Sequence, residues 1–450
     1  MKKTLTAILC LLLVAVLAMS LVACGEKKEE IPKKNPVSQY KAKGEWNEVK
    51  DPLSWEDLNA IPIKSTSMSI DDARKLCVDF FRYSKTACWI PDDNFTYWHN
   101  SEKTNEFTQN AGQIYGGLPY IGVSSGSIYR LMDFMDEEKG VVDISEMTVN
   151  PNLYGNQCSI GSYWGWARVI NSPEIYDWTE NMVHNQGFLK VGPYTYDENA
   201  ISWSDAFRTT AVTEENGEQT MFESYALLKA GDGIVYFTSA GHVVMISEDA
   251  HVVRNDDGTI NGAQSYVRVI DQTPGWAEGQ NEAGDRYEYE KNVDAKWDFK
   301  TLFERYVPFT YKEWTGEDPI EITEISVSVG TGTTFKGTVE ETNRTFKAEG
   351  AVPESLSAAE LYQTELKTNY GISDIYCSVY DAVGNEVFKT VTRAGRAGRY
   401  ELKFSKTPGN SYTWGSLEEL DKSGTYTAKI YIQLGTGERP VVWEGPFTLN

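Results

Sequence analysis

The chain has 450 residues, with 65 acidic against 42 basic side chains and a formal charge of −23 at pH 7. Such a charge, with no basic patch, excludes nucleic acid and anionic lipid as partners held by electrostatics. The length suits two folded domains rather than one.

Met1-Lys2-Lys3 opens the chain, an apolar run follows from Ala7 to Val22, and Leu21-Val22-Ala23-Cys24-Gly25 closes it. A basic start, a short apolar core and small residues before a break make a secretory signal over 1–23. The Leu-Val-Ala-Cys ending resembles the bacterial lipobox, whose cysteine becomes the lipid-modified first residue. That resemblance implies lipidation at Cys24 and a chain held by its lipid at the extracellular face of the cell membrane. Residues 24–64 are rich in Lys, Glu and Pro and read as a flexible tether.

Four cysteines remain after Cys10 and Cys24 are set aside: Cys77, Cys88, Cys158 and Cys377. They are too scattered for a small-domain disulfide framework. Cys77 and Cys88 could pair, but burial as small apolar side chains is favoured.

The first folded domain is expected over 65–315. Ser67 to Asp72 caps a helix in which Ala73, Leu76, Cys77, Phe80 and Phe81 recur at helical spacing. His99 follows a short aromatic stretch. Gly112 to Gly122, with Pro119, reads as an ordered loop. Ser124 or Ser125 should cap a helix carrying Ile128, Leu131, Met132 and Met135, ended by Gly140.

Next comes Tyr154-Gly155-Asn156-Gln157-Cys158-Ser159-Ile160-Gly161-Ser162-Tyr163-Trp164-Gly165-Trp166-Ala167. Ile160, Tyr163, Trp164 and Ala167 share one helical face, and Gly155-Asn156 makes a turn before it. Cys158 therefore opens a buried helix, where free amides and the helix dipole lower a thiol's pKa and favour the nucleophilic thiolate. The aromatic-rich stretch from Asn171 to Tyr225, with His184, should supply loops and short helices that wall a groove.

Gly231 to Ile246 reads as strand, turn, strand, with His242 opening the second strand. Asn255-Asp256-Asp257-Gly258 is a turn, and His251 should face solvent. Ser265 to Ile270 forms a third strand ending in Asp271-Gln272. A polar group at that strand end could orient an imidazole, and a cysteine nucleophile gains from a base so oriented. No phosphate loop, dinucleotide fingerprint or zinc spacing is present, so no metal or cofactor is expected.

Taken together, Pro119-Tyr120 near glycines, Cys158-Ser159 opening a helix, Gly231-Asp232-Gly233 with Gly241-His242-Val243, and a polar strand end resemble the NlpC-type cell-wall cysteine peptidases of the papain-like superfamily. The likeness covers about 65–308. It implies an α+β fold, with the nucleophile's helix packed on an antiparallel sheet that carries the base. It also implies hydrolysis of amide bonds in peptidoglycan stem peptides, with Cys158 as nucleophile, His242 as base and Asp271 or Gln272 as third polar residue. The strand-end match favours Asp271. Tyr120 matches a family tyrosine near the active site. Where the family has Asp before the cysteine and Ser-Gly after it, this chain has Gln157 and Ser159-Ile160-Gly161, flanking the region that holds the oxyanion. Those changes leave two other readings open: a non-catalytic surface binder keeping a papain-like groove, or a cysteine acyltransferase.

From 320 to 450 the pattern changes to short alternating strands, including 322–329, 374–380, 386–391, 400–404 and 426–432, separated by Gly, Asn, Asp and Pro turns. This is an antiparallel β-sandwich pattern, resembling Ig-like accessory domains. Tyr426, Ala428, Ile430 and Ile432 should share the buried face and Cys377 should be core. Tyr412 and Trp414 read as exposed loop aromatics that allow a binding role, beside an equally open role as a spacer.

Overall fold

The computed structural model describes residues 42, 57–58, 61, 68–98, 106–122, 126–145, 155–170, 179, 181–182, 187–197, 208–238, 240–273, 292–315, 324–330, 333–339, 345–394, 399–407, 411–435, 437 and 439–450. The chain divides into two compact units, Met1–Lys34 and Asn35–Asn450, and every described residue lies in the second. The expected leader, Cys24, His99 and His184 lie outside the described residues. Among the described residues no helix is long and apolar enough to cross a membrane. The fold is mixed α/β and rich in strand.

Ser69 caps α1 (Ile70–Thr86), its hydroxyl accepting from the Asp72 amide at 3.1 Å. Leu76, Cys77, Phe80 and Phe81 of α1 are buried, as their spacing predicts. Short elements follow: β1 (Cys88–Pro91), β2 (Phe95–Trp98), β3 (Glu106–Gln109), β4 (Tyr115–Gly116), α2 (Ile128–Asp133), β5 (Met135–Asp136) and β6 (Val141–Val142). The helix expected to run on to Gly140 stops at Asp133 instead, and Ser127 takes its N-cap position without a side-chain bond to the helix. Met135 and Asp136 turn back to pair with Val142 and Val141, and Gly140 takes the positive φ of 68° that this reversal needs.

The remaining elements of this half are α3 (Cys158–Ala167), β7 (Phe188–Lys190), α4 (Thr209–Tyr225), β8 (Gly233–Phe237), β9 (Gly241–His251), β10 (Tyr266–Ile270), β11 (Val293–Asp298), α5 (Phe299–Phe303) and β12 (Val307–Tyr311). The long α4, kinked at Gly217, replaces part of the stretch expected as loops. Six strands form an antiparallel sheet in the order β11-β10-β9-β8-β12-β7. Helix α3 lies between α1 and β9. All its residues are buried, which is why it is apolar on every side. A Cβ on Gly165 would stand 2.6 Å from Met245 Cε and 3.1 Å from Phe81, so a larger residue there would push both side chains aside. Trp166 Nε1 donates to the Gly231 carbonyl at 2.9 Å, pinning helix to sheet.

The segment 24–64, expected to run free, touches the body at Ala42, Leu58 and Ile61. The Ala42 amide donates to Asp136 at 2.8 Å, Leu58 is in the core, and Arg168 donates to the Ile61 carbonyl at 3.0 Å. Cys77 and Cys88 are unbridged; Cys77 is buried and its thiol lies 3.8 Å from the Trp166 carbonyl.

The C-terminal half comprises β13 (Glu324–Val329), β14 (Thr333–Val339), β15 (Phe346–Glu349), β16 (Leu356–Ser357), α6 (Ala358–Leu361), β17 (Glu365–Tyr380), β18 (Glu386–Arg393), β19 (Arg399–Lys403), β20 (Ser411–Trp414), β21 (Tyr426–Leu434) and β22 (Val441–Thr448). The pattern suggests two facing sheets, whereas the strands form one connected sheet. The cause is β17, which pairs with β13 and β19 early and with β18 and β21 late, its register shifting between Lys367 and Asp374. One long strand thus serves both layers. Tyr426, Ala428, Ile430, Ile432 and Cys377 are buried together in this half's own core.

The two halves meet through charge sealed in apolar surroundings. Arg130 on α2 donates to Asp374 at 2.9 Å with both side chains fully buried. Asp133 on α2 accepts from Arg439 at 3.2 Å, Lys389 at 3.4 Å, and the hydroxyls of Tyr376 and Tyr412 at 3.1 and 3.3 Å. Burial pushes its pKa up, but the cations and hydroxyls outweigh that and hold the carboxyl below its ordinary range. Tyr412, read as an exposed ligand-binding aromatic, is buried here: its ring lies 5.1 Å from Phe134, and Trp414 lies 4.6 Å from the same ring. An apolar ring with one polar tip suits such an interface.

Candidate active site

Cys158 is the first residue of α3 and Gln157 is its N-cap, with no side-chain bond to the helix. The first intrahelical bond runs from the Gly161 amide to the Gln157 carbonyl at 2.8 Å, so the amides from Cys158 to Ile160 lack helical acceptors. The approach to Cys158 is fixed by a second strip of chain. The Ile121 amide donates to the Asn156 carbonyl at 3.1 Å, the Asn156 amide to the Pro119 carbonyl at 3.0 Å, and the Gly126 amide to the Gly155 carbonyl at 2.7 Å. A Cβ on Gly155 would come within 2.6 Å of the Pro119 carbonyl, so the strips close only on glycine. This brings the Tyr120 hydroxyl close enough to the Cys158 sulfur for the two to act on each other's titration.

His242 enters from the sheet. It stands opposite Tyr236 in the β8–β9 hairpin, one residue past the start of β9. Asp271 lies just beyond the end of β10, and its Oδ1 is 2.7 Å from His242 Nε2. The Asp271 amide donates to the Asn292 carbonyl at 2.8 Å, which fixes that strand end. With Nε2 donating to the carboxylate, Nδ1 is the ring nitrogen left for sulfur, and His242 lies close enough to Cys158 for each to shift the other's titration.

The electrostatics favour an ion pair. Burial alone pushes the Cys158 thiol up, but the His242 charge, the His242 hydrogen bond and the Val243 amide bring it below its ordinary value. Burial pushes His242 down, while Asp271 and Cys158 more than reverse this and raise it well above the usual histidine range. The Tyr120 hydroxyl is held protonated by burial and by the adjacent Cys158 and Asp271 charges, so it remains a donor. An acceptor-poor sulfur with an imidazole, a phenol and free helix amides around it has the parts for nucleophilic attack on a carbonyl.

Gln272 does not share the imidazole. It is 1 % exposed, and its amide donates to the Leu118 carbonyl at 3.1 Å and to the Asn156 carbonyl at 3.2 Å, while its oxygen accepts from Lys85 at 2.5 Å. Adjacent residues at a strand end point to opposite sides, so Asp271 faces the ring and Gln272 braces the loop before Cys158. Ser159 is buried behind the sulfur in the first helical turn. His251 is exposed, stacked 4.7 Å from Tyr266 and remote from this cluster in register.

Three contributors carry no sequence signal of their own: the Val243 amide, Tyr236 and Tyr306. The Tyr236 ring lies 6.1 Å from that of His242, and Tyr306 is near enough to Asp271 and Cys158 for both to act on its hydroxyl. Among the described residues no group of three or more His, Cys, Asp or Glu could hold a metal ion. No family model matches the chain, and no curated protein or solved structure is detectably similar to it.

Proposed function

We propose that the chain is a papain-like cysteine hydrolase that cleaves amide bonds in peptidoglycan stem peptides, working outside the cell from a lipid anchor at Cys24. One observation carries the catalytic part: His242, its Nε2 2.7 Å from Asp271, lies close enough to the Cys158 sulfur at the mouth of α3 to lower the thiol below its ordinary value. The substrate class comes from the family likeness around Tyr120, Cys158 and His242. In the first step the Cys158 thiolate adds to the amide carbonyl. The developing oxyanion takes hydrogen bonds from the amides opening α3 and from the Tyr120 hydroxyl. His242 then gives its proton to the leaving amine, the C–N bond breaks, and a thioester remains on Cys158. Water, losing a proton to His242, attacks the thioester and restores the thiol. An amine in place of that water would make the same site an acyltransferase.

A non-catalytic binding role is the second reading, favoured by the 6 % exposure of Cys158, which leaves little room for a carbonyl at the sulfur. Purified chain incubated with peptidoglycan separates the two. New amino termini that vanish with Cys158→Ala are expected for the hydrolase. Sedimentation with the wall and no new termini would sink it in favour of binding.

A further inference from the structure

An aromatic ridge borders the Cys158–His242–Asp271 cluster and ends in a cation. The Tyr236 ring, 6.1 Å from His242, meets Tyr306 edge-on at 5.1 Å, and Trp297 stands 5.5 Å beyond Tyr306. Arg305 lies over this ridge. Its Cζ is 4.4 Å from the Tyr236 centroid and 5.7 Å from that of Tyr306. Tyr306 is buried, Tyr236 half-buried and Arg305 exposed.

Several other arginines of this half are committed to carboxylates: Arg74 to Asp232, Arg82 to Asp294, Arg254 to Glu223 and Arg268 to Glu248. Arg305, among the described residues, has rings for partners and no carboxylate. Stacking uses the flat face of a guanidinium and fixes its direction, while the in-plane N–H fork stays available for a bidentate acceptor. The setting makes this informative. A chain of net charge −23 repels anions at long range, so an anion could be held only by a fixed cation close by.

We infer that Arg305, braced by Tyr236 and Tyr306, is a carboxylate-binding group of the substrate groove. The preferred substrate is then a peptide with a free carboxylate close to the amide that is cut. This rests on the hydrolase reading for the word substrate, but the binding claim can be tested without turnover. The full chain carrying Cys158→Ala is titrated with two synthetic stem peptides, one with a free glutamate α-carboxylate and one with the carboxamide there. The carboxylate peptide should bind about tenfold or more tightly, as a charge-assisted bidentate contact implies. Adding Arg305→Gln should bring the ratio of the two affinities close to one, and Arg305→Lys should restore part of it. Circular dichroism confirms that each variant is folded. Equal affinities with Arg305 present, a ratio preserved in Arg305→Gln, or no binding of either peptide would overturn the assignment. Turnover of the same pair by the chain with Cys158 is the separate readout. Binding preference without hydrolysis would discard the hydrolase and keep the Arg305 site, whereas hydrolysis without preference would do the reverse.

Discussion

His242 Nε2 and Asp271 Oδ1 lie 2.7 Å apart, and this contact decides which ring nitrogen faces Cys158. It also sets the pH window of the site. Cys158 is lowered and His242 raised, so thiolate and imidazolium coexist between the two titrations. Iodoacetamide should alkylate Cys158 rapidly below the ordinary thiol value of about 8.5, and kcat/KM should be bell-shaped. The acid limb is protonation of the sulfur, and the alkaline limb is loss of the proton that the leaving amine requires. Asp271→Asn removes the charge holding that proton, so the alkaline limb should move to lower pH and kcat/KM should fall about 10²-fold. An unmoved limb would mean that Asp271 does not govern the ring.

The Tyr120 hydroxyl neighbours the Cys158 sulfur. Tyr120→Phe keeps the ring and removes only the donor. The acid limb of alkylation should shift upward as the thiolate loses a partner, and kcat should drop about 10²-fold if the phenol also serves the oxyanion. A shifted limb with unchanged kcat would confine Tyr120 to the sulfur.

Gln272 satisfies Lys85 and two carbonyls in the loop before Cys158. Gln272→Ala leaves these buried groups short of a partner and should cost about 1–3 kcal/mol, read as a lower denaturation midpoint. The pH limbs of alkylation should stay in place, because Gln272 does not touch the ring. A stable variant with a displaced alkaline limb would make Gln272 the orienting residue after all.

Asp133 is buried between Arg439 and Lys389 at the junction of the halves. Asp133→Ala should cost about 3–5 kcal/mol, because two cations lose their counter-charge inside the protein. Its folded pKa is lowered, so its stabilisation is present above the ordinary carboxylate value of about 4 and is lost as pH falls toward the folded value. Asp133→Asn should flatten that acid dependence. The native chain should unfold in one transition by both fluorescence and far-UV dichroism. Two separated transitions would show that the junction does not couple the halves.

Local order made much of the site legible. Cys158 reads as a helix start because Gly155-Asn156 precedes an apolar helical face, and His242 as a strand start because Gly241 frames it. Asp271 and Gln272 could not be separated by strand parity alone, since nothing local says which face meets α3. Arg130, Asp133 and Lys389 look like solvated charges when read in sequence; their partners lie on strands far down the chain. Tyr412 misled for the same reason, an aromatic between turn residues whose cover is supplied by Phe134. The single sheet of the C-terminal half was hidden because alternation marks strands without saying which strand is shared.

The salt links of α2 have a consequence for how the chain is made. Asp133 and Arg439 are 306 positions apart, and Arg130 and Asp374 are 244 apart. Contacts that distant cannot form until the chain has been synthesised through Asp374 and Arg439. Until then α2, and the stitched loop behind it that leads to the sulfur, must wait without their counter-ions. A chain cut short before Arg439 leaves Asp133 deprived of that cation, and its reactive thiol should be assembled poorly or not at all.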